Sequence, residues 1–301
     1  MLEFKNEKIA IPVVLFAGLL WSFGPLVVRH MDQPVLVPWQ YIFARGLTIF
    51  IVLNLYLYFE EGKNFYKNYL RVGISGLVGG CGLGIAMVTF IYSITNTTAA
   101  VTLLCLAAMP FFTALLGFLF LKERISFNVW VAIIIATIGI IIIALGNTEK
   151  NSLIGLIFGM TSSIGFSVFS VSLRWRKETP KFTTVAIAGL FCVCIALTFI
   201  AINESTILST SYNGALFSLH GVIVCMGLIL YSIGSKAIPA AELTLLSLTE
   251  VIGGIFWVWL PLFGVNEIPS TNTIIGGFFL FMSIIYYSLT IKTNRRFIAL
   301  N

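Results

Sequence analysis

The stretch LTLLSLTEVIGGIFWVWL, residues 243–260, is apolar over a length that crosses a bilayer, and it carries Glu250 in its middle. An acidic residue at the centre of a membrane span costs about 2.5–3.5 kcal/mol, so such residues face a cavity or a partner. Glu250 could be a proton-coupling site or the counter-ion of an amine-bearing substrate, holding a proton at rest and releasing it when water enters. It could equally be a structural carboxyl, hydrogen-bonded to a neighbouring helix. Glu242 lies eight residues earlier, roughly on the same helical face. It could relay protons between a cavity and the aqueous phase, reach water directly, or pair with Lys236.

Arg45 sits inside a second apolar segment, in IFARGL. Its guanidinium stays charged, so it must find a partner or reach the headgroups along its own stem. Arg29, at the end of the first apolar segment, does the latter more easily. Both read as structural charges, with a ligand role as the alternative for Arg45. Trp21 and Ser22 lie deep in the first segment, Trp257 two turns beyond Glu250, and Tyr92 and Tyr231 near the ends of two further segments. Their rings could wall a cavity and offer cation–π faces to an organic ammonium group. Interface anchoring competes for the tyrosines, and plain helix packing for Trp257.

Signatures of other chemistry are missing from the sequence. His30 and His220 are far apart, and no HExxH, GxSxG or clustered metal ligands occur. His30 reads as an exposed loop residue and His220 as a hydrogen-bonded structural one. The five cysteines, Cys81, Cys105, Cys192, Cys194 and Cys225, all fall in apolar runs without CxxC spacing and read as small hydrophobes. Gly76, Gly80 and Gly84 repeat every four residues without the strand-to-helix context of a phosphate loop, a pattern of close helix packing. No cofactor or metal is expected, and no enzyme activity. A lipid-processing enzyme would have to use Arg29, His30 and Asp32, the one cluster remotely suited to it.

The elements that position these residues follow from hydropathy. Of 301 residues 58% are hydrophobic and 10% charged, with a mean hydropathy of +1.00, whereas soluble domains carry about 25% charged residues. A helix needs about 20 apolar residues to cross the hydrocarbon. Ten segments qualify: 9–28, 37–59, 72–92, 97–121, 127–146, 152–173, 182–202, 213–233, 238–262 and 272–291. The N-terminal run extends to Val28 and lacks a small-x-small cleavage site, so it reads as a span and not a signal peptide. Fifteen of the eighteen Lys and Arg fall in connections on the side of the N-terminus. Arg29 and Lys150 lie opposite, and Arg45 lies within a span. By the positive-inside rule both termini are cytoplasmic. The net charge of +6 is spread over short clusters between spans, which suits lipid headgroups and not nucleic acid.

The chain also repeats. GLLWSFG (18–24) aligns with GMTSSIG (159–165), and AAVTLLCLAAMPFF (99–112) with AAELTLLSLTEVIG (240–253), both at an offset of 141 residues. After three extra residues near Phe263, Glu123 and Ser126 meet Glu267 and Ser270. Five spans per half is an odd number, so the second half enters from the opposite side. Inverted repeats of this kind recur in secondary transporters, with the substrate site near the midplane between the halves.

GLLWSFGPLVVR (18–29), WQYIFARG (39–46), LAAMPFFTALLGFLFLKERIS (106–126), LSLTEVIGGIFWVWL (246–260) and NEIPS (266–270) resemble an EamA-type member of the drug/metabolite transporter superfamily. The proline-bearing span that leaves on Leu-Lys-Glu-Arg is the most specific part. The segment PLFGVN (261–266) departs from the family pattern by its three added residues. The resemblance implies ten transmembrane helices in two inverted five-helix repeats, 1–146 and 147–301, around a central cavity. The expectation is an all-α multi-pass protein of the cell membrane. It would be a secondary active transporter, an exporter by resemblance, of a small organic metabolite such as an amino acid. Its partners would be that substrate, protons or an exchanged solute, and the bilayer. A non-transporting membrane subunit is the competing reading.

Overall fold

A computed structural model describes residues 7–298 apart from Arg124, 147–152, Lys177, Glu267 and Pro269. Lys5, Arg124, Lys150, Lys177 and Glu267, which entered the charge count and the repeat, lie outside the described residues. The boundary drawn after residue 146 falls at the edge of that set. Among the described residues the regular structure is helical throughout: α1 Glu7–Trp21, α2 Gly24–Arg29, α3 Pro38–Glu61, α4 Lys67–Arg71, α5 Gly73–Asn96, α6 Ala99–Leu106, α7 Met109–Leu116, α8 Phe127–Gly146, α9 Leu153–Trp175, α10 Lys181–Ile202, α11 Ser211–Gly234, α12 Ala240–Leu246, α13 Thr249–Trp259 and α14 Thr271–Ile298. Each of the ten predicted segments coincides with a helix or a consecutive pair. Eight helical stretches are long and apolar enough to cross a membrane; the apolar parts described in α8 and α14 are the shorter Phe127–Ile142 and Ile274–Tyr287.

Three of the spans are broken midway, and each break has a local cause. Pro25 sits in the first turn of α2 and Pro110 in the first turn of α7. Proline supplies no N–H and disfavours helical backbone in the residue before it. At the α6/α7 break the ladder tightens to i→i−3 bonds, Ala108 N to Cys105 O and Phe111 N to Ala108 O. The α12/α13 break has no proline. There Thr244, Ser247 and Thr249 donate their hydroxyls back to Ala241, Thr244 and Leu246 carbonyls. Side chains that compete for backbone acceptors bend helices, and here too the backbone tightens, with Glu250 N bonded to Ser247 O at 2.9 Å.

Packing pairs α5 with α9, α1 with α11, α3 with α10, and α8 with α14. It also pairs α5 with α10, α3 with α11, α6–α7 with α9, α12–α13 with α1, and α7 with α12. Glycine permits the closest crossings. A Cβ on Gly46 would lie 2.8 Å from the Gly189 carbonyl oxygen, and one on Gly189 would lie 2.8 Å from that of Gly46. Backbones that approach this closely gain dispersion contact where the hydrophobic effect between helices is absent.

Candidate functional site

The broken spans meet the unbroken ones around a cavity in the middle of the bundle. Glu250 enters it from the first turn of α13, Arg45 from α3, and His220 from α11. Trp21, Met87, Phe90, Met109, Phe166 and Leu228 give it mostly apolar walls. Its free volume is about 70 Å³, room for a few waters at about 10–15 Å³ apiece. The break beside Glu250 is held by Thr249, whose hydroxyl also donates to Leu15 O on α1 at 3.1 Å. Gly18 makes that approach possible, because a Cβ there would collide with the Thr249 hydroxyl.

Arg45 is only 3% exposed, so its guanidinium stays in the bundle and does not reach the headgroups. It donates from Nη2 to Met87 O at 2.8 Å and lies over the Tyr41 ring, 5.3 Å from the centroid. Its Nε has no hydrogen-bond partner. Tyr41 and His220 are both buried, and the Tyr41 hydroxyl is hydrogen-bonded to His220 Nδ1. The Nε2 of the same ring is left without a partner. Arg45, His220 and Glu250 line the same cavity, yet neither a hydrogen bond nor an ion pair joins Arg45 to Glu250 among the described residues.

Trp21 closes one end of the cavity. It packs on Phe166 at 5.4 Å and Tyr231 at 5.3 Å between ring centroids, and Phe169 completes the layer. The indole donates to Val224 O, and the Tyr231 hydroxyl bonds the Ser170 hydroxyl at 2.7 Å. Further along α11, past this aromatic floor, a wider space of about 240 Å³ is lined by Glu61, Arg71, Glu178, Lys181 and Lys236.

The remaining residues singled out in the sequence lie elsewhere. Ser22 is buried in the α1/α2 break, donating to Leu19 O and accepting from the Trp257 indole at 2.7 Å. Trp257 stacks on Phe23 and meets Phe263 edge-on, so both residues brace the α1/α2 break against α13, outside the cavity lining. Tyr92 belongs to a separate cluster with Trp39 and Phe158. Glu242 bonds the Tyr287 hydroxyl of α14, and the helix break separates it from Glu250. Arg29 ends α2 outside the cavity. His30, expected as an exposed loop residue, places Nδ1 2.8 Å from Leu26 O and Nε2 2.8 Å from Phe263 O, fastening the lengthened segment 261–266 to α2. Cavity residues that sequence reasoning did not assign include Met87, Phe90, Met109, Phe166 and Leu228, and Tyr41 packs on Arg45 outside that lining. Tyr41 carried a usable signal, one turn before Arg45 and on its face.

Residues 8–145 match the EamA-like transporter family. The chain carries an EamA family domain. Over these residues the match bears out the family resemblance read from the sequence. Similar proteins include an uncharacterized transporter of Helicobacter pylori, 26% identical over 186 residues, which are 60% of this chain and 60% of the relative. The pseudopaline exporter CntI of Pseudomonas aeruginosa is 25% identical over 222 residues, 72% of this EamA-domain chain and 75% of the relative. A biotin transporter of Escherichia coli is 22% identical over 254 residues, 81% of this chain and 82% of the relative. The chain thus aligns with about 60% of the length of the Helicobacter relative. One crystal structure superposes with a TM-score of 0.71 at 16% identity, over 96% of this chain and 99% of that one, which shows a shared fold.

Proposed function

We propose that the protein is a secondary active transporter that moves a small organic metabolite by alternating exposure of the central cavity. The observation that carries this reading is that Glu250 and Arg45, an acid and a cation on different helices, line one apolar cavity at mid-bundle. Charges kept inside a membrane protein mark solute or proton pathways. The breaks in α1/α2, α6/α7 and α12/α13 give the walls places to flex, as discontinuous helices do around transporter sites. The names of the relatives, an exporter and a biotin transporter among them, support transport as the activity; export of an amino acid or related compound is the direction and cargo proposed with it.

The architecture proposed with it is ten transmembrane helices in two inverted five-helix repeats, 1–146 and 147–301, in the cell membrane with both termini cytoplasmic. Two features support the repeat. α6 and α12 open at Ala99 and Ala240, at the offset of the sequence repeat, and both break before their eighth or ninth residue. Moreover, exchanging each span for its counterpart in the other half returns the principal packing pairs named above.

A proton gradient or an exchanged solute would drive the cycle, with Glu250 taking up and releasing the proton or facing the substrate's cation. The test is metabolomics of cells and medium with wild type and Glu250→Gln at matched membrane abundance. A solute redistributed by wild type alone, with a pH dependence lost in the variant, is the expected result. Redistribution by both at every pH would remove Glu250 from the mechanism, and none by either would remove transport.

A further inference from the structure

We infer that Arg45 and His220 form an anion subsite in the cavity, built for a carboxylate, so that the transported solute carries a carboxylate at that end and a cation toward Glu250. This rests on the transport reading and names the chemistry of its cargo. Two donors in the cavity wall lack acceptors. Arg45 Nε is one, in a side chain 3% exposed. The other is His220 Nε2, in a ring 1% exposed.

The subsite uses the tautomer in which the Tyr41 hydroxyl donates to His220 Nδ1 and Nε2 carries the ring proton. Tyr41 thereby acts as a positioning residue, fixing the imidazole with its N–H free while its ring lies under the guanidinium. Arg45 is fixed in turn by the Met87 carbonyl. A buried donor left without an acceptor costs about 1–3 kcal/mol, and two such costs in one cavity are removed together when an oxyanion enters. A guanidinium and a neighbouring N–H are the donor set a planar carboxylate accepts. Glu250, with no hydrogen bond or ion pair of its own to either group among the described residues, supplies the opposite charge in the same cavity. The apolar faces of Trp21, Phe90 and Phe166 between them suit a hydrocarbon side chain.

Three probes separate the groups: L-leucine, its deaminated analogue isocaproate, and its decarboxylated analogue isoamylamine. Binding is read on the full chain in lipid nanodiscs, by thermal shift and by intrinsic tryptophan fluorescence. Isocaproate and L-leucine are expected to bind wild type. Arg45→Gln should weaken isocaproate by at least about tenfold, the loss of one charge-assisted hydrogen bond. Should Arg45→Gln fail to fold, His220→Ala serves, with His220→Gln restoring part of the affinity through an amide N–H near the place of Nε2. No response to isocaproate, or isocaproate binding that neither Arg45→Gln nor His220→Ala weakens, overturns the subsite. In the metabolomic experiment a redistributed solute without a carboxylate overturns the subsite and leaves transport standing. Isocaproate binding without any redistribution does the reverse.

Discussion

Trp257 and Ser22 are held together by one indole hydrogen bond of 2.7 Å across the α1/α2 break. Ser22 is also tied to Leu19 O, so its hydroxyl links the α1 backbone to α13. Ser22→Ala removes the indole's acceptor while preserving volume. We expect a loss of about 1 kcal/mol, seen as a lower melting temperature, and Trp257→Phe on that background should add less than it does alone. Arg45→Ala is more severe. It leaves the Met87 carbonyl and the Tyr41 ring without their cation, and lower yield of folded protein in the membrane is the expected readout. Normal yield would mean that the bundle does not depend on it. Glu250 was conspicuous in the sequence because an acid stands out in an apolar run. His220 and Tyr41 did not stand out, since a histidine among apolar residues and a tyrosine near a span's start each have an ordinary explanation. What joins them is a contact between residues 179 apart in the chain, which no local pattern encodes.

At the scale of helices, the crossing of α3 and α10 depends on Gly46 and Gly189, each against the other's carbonyl. Gly46→Val should force the helices apart at about 1–3 kcal/mol, lowering the amount of folded protein. Gly214→Ala, where an added Cβ meets nothing within 4 Å, is the control and should be neutral. The spans themselves were legible because an apolar run of the required length has few other fates. Their breaks were only partly so. Pro25 and Pro110 announce two of them, but the third rests on hydroxyls that bond backward. LTLLSLTE reads as an ordinary helix until the acceptors of Thr244, Ser247 and Thr249 are seen. That matters because this break presents Glu250 to the cavity.

For the whole molecule, the tie nearest the charged vestibule is Arg174. Its Nε meets Glu123 at 2.6 Å, and its Nη1 donates to Ser235 O and Ile238 O. Glu123 also accepts from the Ala240 N–H that opens α12. One half-buried pair thus joins the exit of α7, the end of α9 and the turn into α12. Arg174→Lys keeps the charge and loses the fork, and should cost about 1–2 kcal/mol, between an exposed and a buried pair. A reporter fused after Asn301 tests the proposed orientation: cytoplasmic activity is expected, and periplasmic activity would reverse it. The repeat showed in the sequence as an offset of 141 residues, but the convergence of seven spans on one cavity depends on packing angles that side-chain spacing does not specify.

The aromatic floor has a bearing on the energetics of the cell that houses it. Trp21, Phe166, Phe169 and Tyr231 are the layer between the cavity and the vestibule. A membrane that stores energy as an ion gradient tolerates no continuous file of water, because protons hop along it without any carrier cycle. Four rings in edge, tilted and stacked contact are an insulator one layer thick. Thinning them, as in Phe166→Ala with Tyr231→Ala, should therefore show first as a short circuit: slowed growth and a collapsed membrane potential, even in cells given nothing to transport.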